Sequence, residues 1–122
     1  EPANPRYLYL QALTYAELGQ KDKTEQLLRK VVQIAPGHDR AHYNLGLLLA
    51  GQNKLKEAIE SLFYAEQVNP REISYPYARA TVHLRMGQKM EAFEACRTCL
   101  GIDRNYQPAM QLLRQIGNPN SP

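Results

Sequence analysis

The stretch Asp39 to Glu72, DRAHYNLGLLLAGQNKLKEAIESLFYAEQVNPRE, decides how this chain is read, because the residues on either side of it vary the same 34-residue theme. Within it Tyr43, Leu45, Gly46, Leu48 and Leu49 recur at helical spacing, lapse at Gln52-Asn53, and resume as Leu55, Ala58, Ile59, Leu62, Ala65 and Val68. The pattern predicts two amphipathic helices of roughly four turns each, joined by a tight turn. Asn53 tolerates the left-handed conformation a helix C-terminus needs, Pro70 stops the second helix, and Asp39 is expected to cap the first.

Sliding the sequence against itself by 34 positions extends the unit in both directions without a gap. Ala12/Gly46/Ala80, Tyr9/Tyr43/Tyr77, Gly19/Asn53/Gly87, Thr24/Ala58/Ala92, Leu28/Leu62/Cys96, Val31/Ala65/Cys99, Ile34/Val68/Ile102 and Pro2/Pro36/Pro70 all fall into phase. With Leu45-Gly46, Ala58, Ala65 and Pro70 in their places, the unit resembles the tetratricopeptide repeat (TPR). Departures are local: His42 and Leu8 stand where Trp is common, Gln11 where Leu is common, Thr24 where Ala is usual, and Arg104 where the last Pro would be. The resemblance implies an all-α, right-handed superhelical solenoid of tandem hairpins, with the first helix of each repeat on the concave side.

A single TPR domain over 1–122 is expected, with repeats at about 5–38, 39–72 and 73–106, a capping helix at about 107–116 and a flexible tail at 117–122. Asn4-Pro5 opens the first helix, Pro76 is tolerated in the first turn of the fifth, and the sixth, lacking a terminating Pro, is expected to fray. The missing initiator Met and the phase of Pro2 suggest a fragment of a longer protein. Its residues favour neither cytoplasm nor periplasm.

Composition narrows the function. At 122 residues with 43% hydrophobic side chains there is enough for one helical core, and no apolar run is long enough to span a bilayer. The net charge of +3, from 15 basic and 12 acidic residues, alternates in sign along the helices (Lys54, Lys56, Glu57, Glu60), which describes a solvated surface rather than a nucleic-acid footprint.

Cys96 and Cys99 form a CxxC followed by Leu100, so the haem-attachment pattern fails, and there is no second CxxC for a four-cysteine zinc site. Both cysteines align with packing positions and are expected in the core; His83 is the one further side chain positioned to join them around a metal. No phosphate loop, paired carboxylates or nucleophile beside a base emerges, so neither a cofactor nor a metal nor catalysis is expected.

The resemblance assigns the groove to set positions of each repeat, giving Arg6, Tyr9, Leu10, Leu13, Ala16 and Glu17, then Arg40, Tyr43, Asn44, Leu47, Ala50 and Gly51, then Ser74, Tyr77, Ala78, Thr81, Leu84 and Arg85. Of these Arg6, Tyr9, Leu13, Arg40, Tyr43, Asn44, Leu47, Tyr77, Thr81 and Arg85 are the expected peptide-binding residues, Tyr and Arg being enriched where proteins meet. Family members that clamp the acidic tails of heat-shock chaperones need Lys, Asn and Arg at five places that here hold Tyr9, Leu13, Asn44, Ser74 and Ala78; only Asn44 survives. The expected function is a non-catalytic scaffold holding a peptide segment of a partner protein, with Tyr43→Ala plus Asn44→Ala removing capture but hardly changing stability. Alternatives are self-association as a homodimer through Tyr7 and Leu8 of an exposed first helix, or a spacer positioning a neighbouring domain.

Overall fold

The computed structural model describes residues 3–120. Seven helices follow in order: α1 (Pro5–Glu17), α2 (Lys21–Ile34), α3 (Asp39–Gly51), α4 (Leu55–Val68), α5 (Ser74–Arg85), α6 (Lys89–Ile102) and α7 (Gln107–Ile116). No strand occurs among the described residues. The hairpins α1–α2, α3–α4 and α5–α6 stack through α2 on α3, α4 on α5 and α6 on α7, as a right-handed superhelical solenoid of three repeats closed by α7. Pro2 of the repeat alignment and the last two tail residues lie outside the described residues.

The 34-residue period is written in the backbone hydrogen bonds. Each hairpin turn needs one residue with positive φ, and Gly19, Asn53 and Gly87 supply it at 76°, 63° and 75°. That conformation lets the next amide reach back five residues, in Gln20 N–H to Tyr15 O, Lys54 N–H to Leu49 O and Gln88 N–H to His83 O, each 2.9 Å. Because these bonds fix the turns, α2, α4 and α6 start without any side-chain cap.

Two expected helix ends differ. His38, not Asp39, caps α3: its Nδ1 accepts from the Ala41 amide at 3.1 Å. Asp39 is already helical, and its carboxylate instead accepts from the Tyr75 hydroxyl at 2.7 Å and from Asn69 Nδ2 at 3.4 Å. The end of α6 is closed rather than frayed: Asp103 N–H bonds Cys99 O at 2.9 Å, and the Asp103 carboxylate accepts from the Asn105 amide at 3.0 Å, doing without the proline.

The core follows the registers. Ala12, Gly46 and Ala80 are buried where first helix meets second, opposite Thr24, Ala58 and Ala92, and beneath them lie Leu28, Leu62 and Cys96 and then Val31, Ala65 and Cys99. Burying a leucine of this kind contributes about 2 kcal/mol. Two clusters result, one over α1–α5 and one over α5–α7, with Ala109, Leu112 and Ile116 of α7 closing the second. α7 spans Gln107–Ile116, and after it Asn118 Oδ1 accepts from the Asn120 amide in a mostly exposed turn.

The bond between the second and third repeats is partly ionic. Arg79 on α5 grips the carboxylate of Glu66 on α4 with Nε and, at 3.1 Å, with Nη2. The side chains are 15% and 10% exposed, so both charges have left water and depend on one another.

Candidate functional site

The first helices α1, α3 and α5 stand side by side, and their residues touch at a spacing of one repeat plus one residue. Asn44 Nδ2 donates to the Tyr9 hydroxyl at 2.7 Å, and Arg85 Nη1 donates to Ala50 O at 3.1 Å. The Tyr43 ring lies 5.0 Å from Tyr75, and the Arg40 guanidinium sits 6.0 Å over the Tyr43 ring and against the hydroxyls of Tyr75 and Tyr9. Tyr75, absent from the expected groove residues, is wholly buried and ties α5 to both Asp39 and Tyr43. Burial and the nearby Asp39 carboxylate push its phenol well above the ordinary range.

Several expected binding residues are therefore engaged within the fold. The Asn44 amide spends a proton on Tyr9, Thr81 donates its hydroxyl to Ala78 O at 2.6 Å, and Arg85 reaches Ala50 O and Asn53 Oδ1 at 3.3 Å. Tyr77 meets Tyr106 edge to face at 5.8 Å, while Ala50 and Ala78 are buried. Truncating Tyr43 and Asn44 together removes the ring contact and the link to Tyr9, so that pair would destabilise the stack as well as alter the surface. Arg6, Leu10, Leu13, Ala16, Glu17, Arg40, Leu47 and Gly51 remain exposed, as does Arg85 despite its bonds.

Two depressions interrupt this surface. One, of 280 Å³ between α1 and α3, is lined by Ala12, Leu13, Ala16, Thr24, Leu28, Asn44, Leu47 and Leu48. The other, of 470 Å³ between α5 and α7, is lined by Tyr77, Thr81, Leu84, Arg85, Leu112 and Gln115. The first is mainly aliphatic and reaches the core; the second is broader and more polar.

The cysteines lie where packing puts them. Cys96 and Cys99 are reduced and fully buried, and Cys99 Sγ points at Ile73 O, 3.9 Å away. Burial pushes both thiols up, Cys99 to about 12. His83 turns elsewhere, with Nδ1 2.7 Å from Gln88 Oε1 and Nε2 3.5 Å from Arg79 Nη1. Among the described residues no three metal-binding side chains converge, and no helix is long and apolar enough to cross a membrane. Leu8, expected on an exposed face with Tyr7, packs against the first core cluster; Tyr7 is 62% exposed.

The family model of anaphase-promoting complex, cyclosome, subunit 3 matches residues 1–65, just over half of the chain. No curated protein matches the sequence. Among solved structures the chain is similar to MamA, at TM-score 0.89 and 24% identity over 95% of this chain and 68% of that one. It is also similar to the first TPR of Spaghetti (RPAP3) bound to the HSP90 peptide SRMEEVD, at TM-score 0.85 and 18% identity over 92% of this chain and 89% of that one. A third similar structure is an O-GlcNAc transferase mutant of Thermobaculum terrenum, at TM-score 0.78 and 26% identity over 92% of this chain but only 22% of that one. With its three stacked hairpins in 34-residue register, the chain is a tetratricopeptide repeat protein and belongs to the family of anaphase-promoting complex, cyclosome, subunit 3.

Proposed function

We propose that the chain is a non-catalytic scaffold whose first-helix surface captures a segment of another protein. One observation carries this reading: Leu13 and Leu47, one repeat apart and 36% and 42% exposed, line the same aliphatic pocket between α1 and α3. Apolar side chains grouped at a depression do nothing for the isolated fold and mark a surface that another molecule covers. Exposed Arg6 and Arg40 and the half-buried Tyr9 and Tyr43 border it and supply directional contacts. That the similar RPAP3 repeat domain holds a peptide supports the same use of the fold here. The perturbed groups serve the structure: Asp39 accepts from Tyr75 and Asn69, His42 packs on Tyr64, and the cysteines fill the core.

The test is an affinity capture from lysate of the source organism, comparing the wild type with Leu13→Glu plus Leu47→Glu and reading retained proteins by mass spectrometry. Both positions are exposed, so circular dichroism and melting should match the wild type. A protein held by the wild type and released by the variant is expected; equal retention by both would remove the groove from the account.

A second reading, self-association through α1, has its own observation. Tyr7 and Leu18 are 62% and 63% exposed, while the next repeats bury Ala41 and Tyr75 at the register of Tyr7. Sedimentation equilibrium over a wide concentration range decides it: mass rising above 13.9 kDa supports pairing, and a constant mass ends it.

A further inference from the structure

Resting on the reading of the first-helix surface as a peptide groove, we propose that the gap between α1 and α3 is a pocket for one large apolar side chain of an acidic partner segment, held open by Gly51. The two gaps between first helices are built from the same registers and end differently. In the gap between α3 and α5, Arg85 crosses to Ala50 O at 3.1 Å and to Asn53 Oδ1 at 3.3 Å, and Ala50 beneath it is 7% exposed. In the gap between α1 and α3, the residue at the register of Arg85 is Gly51 and the residue at that of Ala50 is Ala16. Ala16 is exposed, and the 280 Å³ pocket opens beside it down to Leu28 and Thr24 of α2.

Gly51 has no conformational reason to be glycine. Its φ is not positive, and a Cβ placed on it would meet nothing within 4 Å. A glycine in a helix is less favourable than alanine, so what it contributes here is an absent side chain. The pocket is large enough for a leucine, isoleucine, methionine or phenylalanine side chain, since a dry cavity of about 150 Å³ already holds a benzene-sized group.

Charge fixes the end of the ligand that lies toward the helix N-termini; the acidic side chain of the expected groove, Glu17, is exposed at the opposite end, one turn beyond Leu13. Arg6 and Arg40 lie exposed in the first turns of α1 and α3, where the helix N-termini add positive potential, and Asp39 beside them is occupied by Tyr75 and Asn69. Leu13 at the pocket is seven residues beyond Arg6, about 10 Å along the helix axis. An extended segment covers that distance in about three residues. The fitting segment therefore carries acidic residues some three positions from its apolar anchor.

The experiment selects a phage library of random 12-residue peptides on the immobilised 122-residue chain, then measures the enriched peptides against variants by fluorescence anisotropy. Enriched peptides should share one large apolar residue with acidic residues about three positions away. Gly51→Arg should bind them at least tenfold more weakly while melting no lower than the wild type, because the new guanidinium can reach Ala16 O as Arg85 reaches Ala50 O. Gly51→Ala, too short to close the gap, should bind as the wild type does. Peptides weakened by Leu13→Glu plus Leu47→Glu but not by Gly51→Arg would keep the groove and overturn the pocket. Peptides indifferent to all of these variants, or no enriched peptide at all, would overturn both.

Discussion

At Gly46 a single missing methyl group sets how closely α3 and α4 approach. A Cβ there would lie 2.8 Å from Leu62 Cγ, 2.9 Å from Leu62 Cδ2 and 3.2 Å from Ala58 O, although Ala12 and Ala80 occupy the same register in the neighbouring repeats. Gly46→Ala gains up to about 1 kcal/mol of helix propensity and loses about 1–3 kcal/mol to overpacking, so net destabilisation is expected. Thermal unfolding should show a midpoint lowered by about 4 °C. The cost should shrink in a Leu62→Ala background; an undiminished cost would place the clash elsewhere. The repeat pattern permits a small residue at this register, but which one fits depends on the rotamer of Leu62, a tertiary fact.

Between elements, two contacts distinguish this stack from a generic one. Arg79→Met strips Glu66 of its partner while leaving its carboxylate buried between α4 and α5, and should cost about 3 kcal/mol or more in urea titrations. A loss near zero would mean that Glu66 reaches water. At the other end, α7 seals Cys96 and Cys99 beneath Ala109, Leu112 and Ile116. With both thiols buried and their pKa values raised, the native chain should react with a thiol reagent only slowly at pH 8. Leu112→Ala plus Ile116→Ala loosens α7 and should accelerate labelling at least tenfold; equal rates would show that the thiols are reached by another route. Seven helices were readable from spacing and turn residues alone, whereas the Glu66–Arg79 pair joins residues 13 apart in separate repeats and follows from no period.

For the molecule as a whole, acid should lower the stability of the solenoid in two steps. Burial against α4 lowers the pKa of His42 from its ordinary 6.5, the hydrogen bond of its ring with Pro36 O only partly opposing this. The stability that the neutral ring contributes is complete above 6.5 and is lost as pH falls through the folded value. Hydrogen bonds from Gln52 and Arg29 lower Glu25 below 4.5. For Asp39 burial acts upward, but bonds from Tyr75 and Asn69 outweigh it and the pKa falls below 3.8. Their contributions therefore hold above the ordinary values and disappear as pH drops through the lowered ones. Melting midpoints should be flat near neutrality, decline below pH 6.5 and fall further below 4.5, with His42→Gln removing the first decline; a midpoint that rises between pH 6.5 and 5 would contradict the assignment. By itself the sequence determined the repeat, the seven helices and their turns, because apolar spacing and left-handed turn residues act locally and recur every 34 positions, although Ile34 and Val68 of the apolar pattern are 42% and 39% exposed at the ends of their helices. Only the tertiary structure decided that His38 caps α3, that Asn44, Thr81 and Arg85 are engaged within the fold, and that the first gap stays open where the second is closed. Those outcomes depend on which donor meets which acceptor across two helices, and a period states that two positions are neighbours without stating how their side chains divide the space between them.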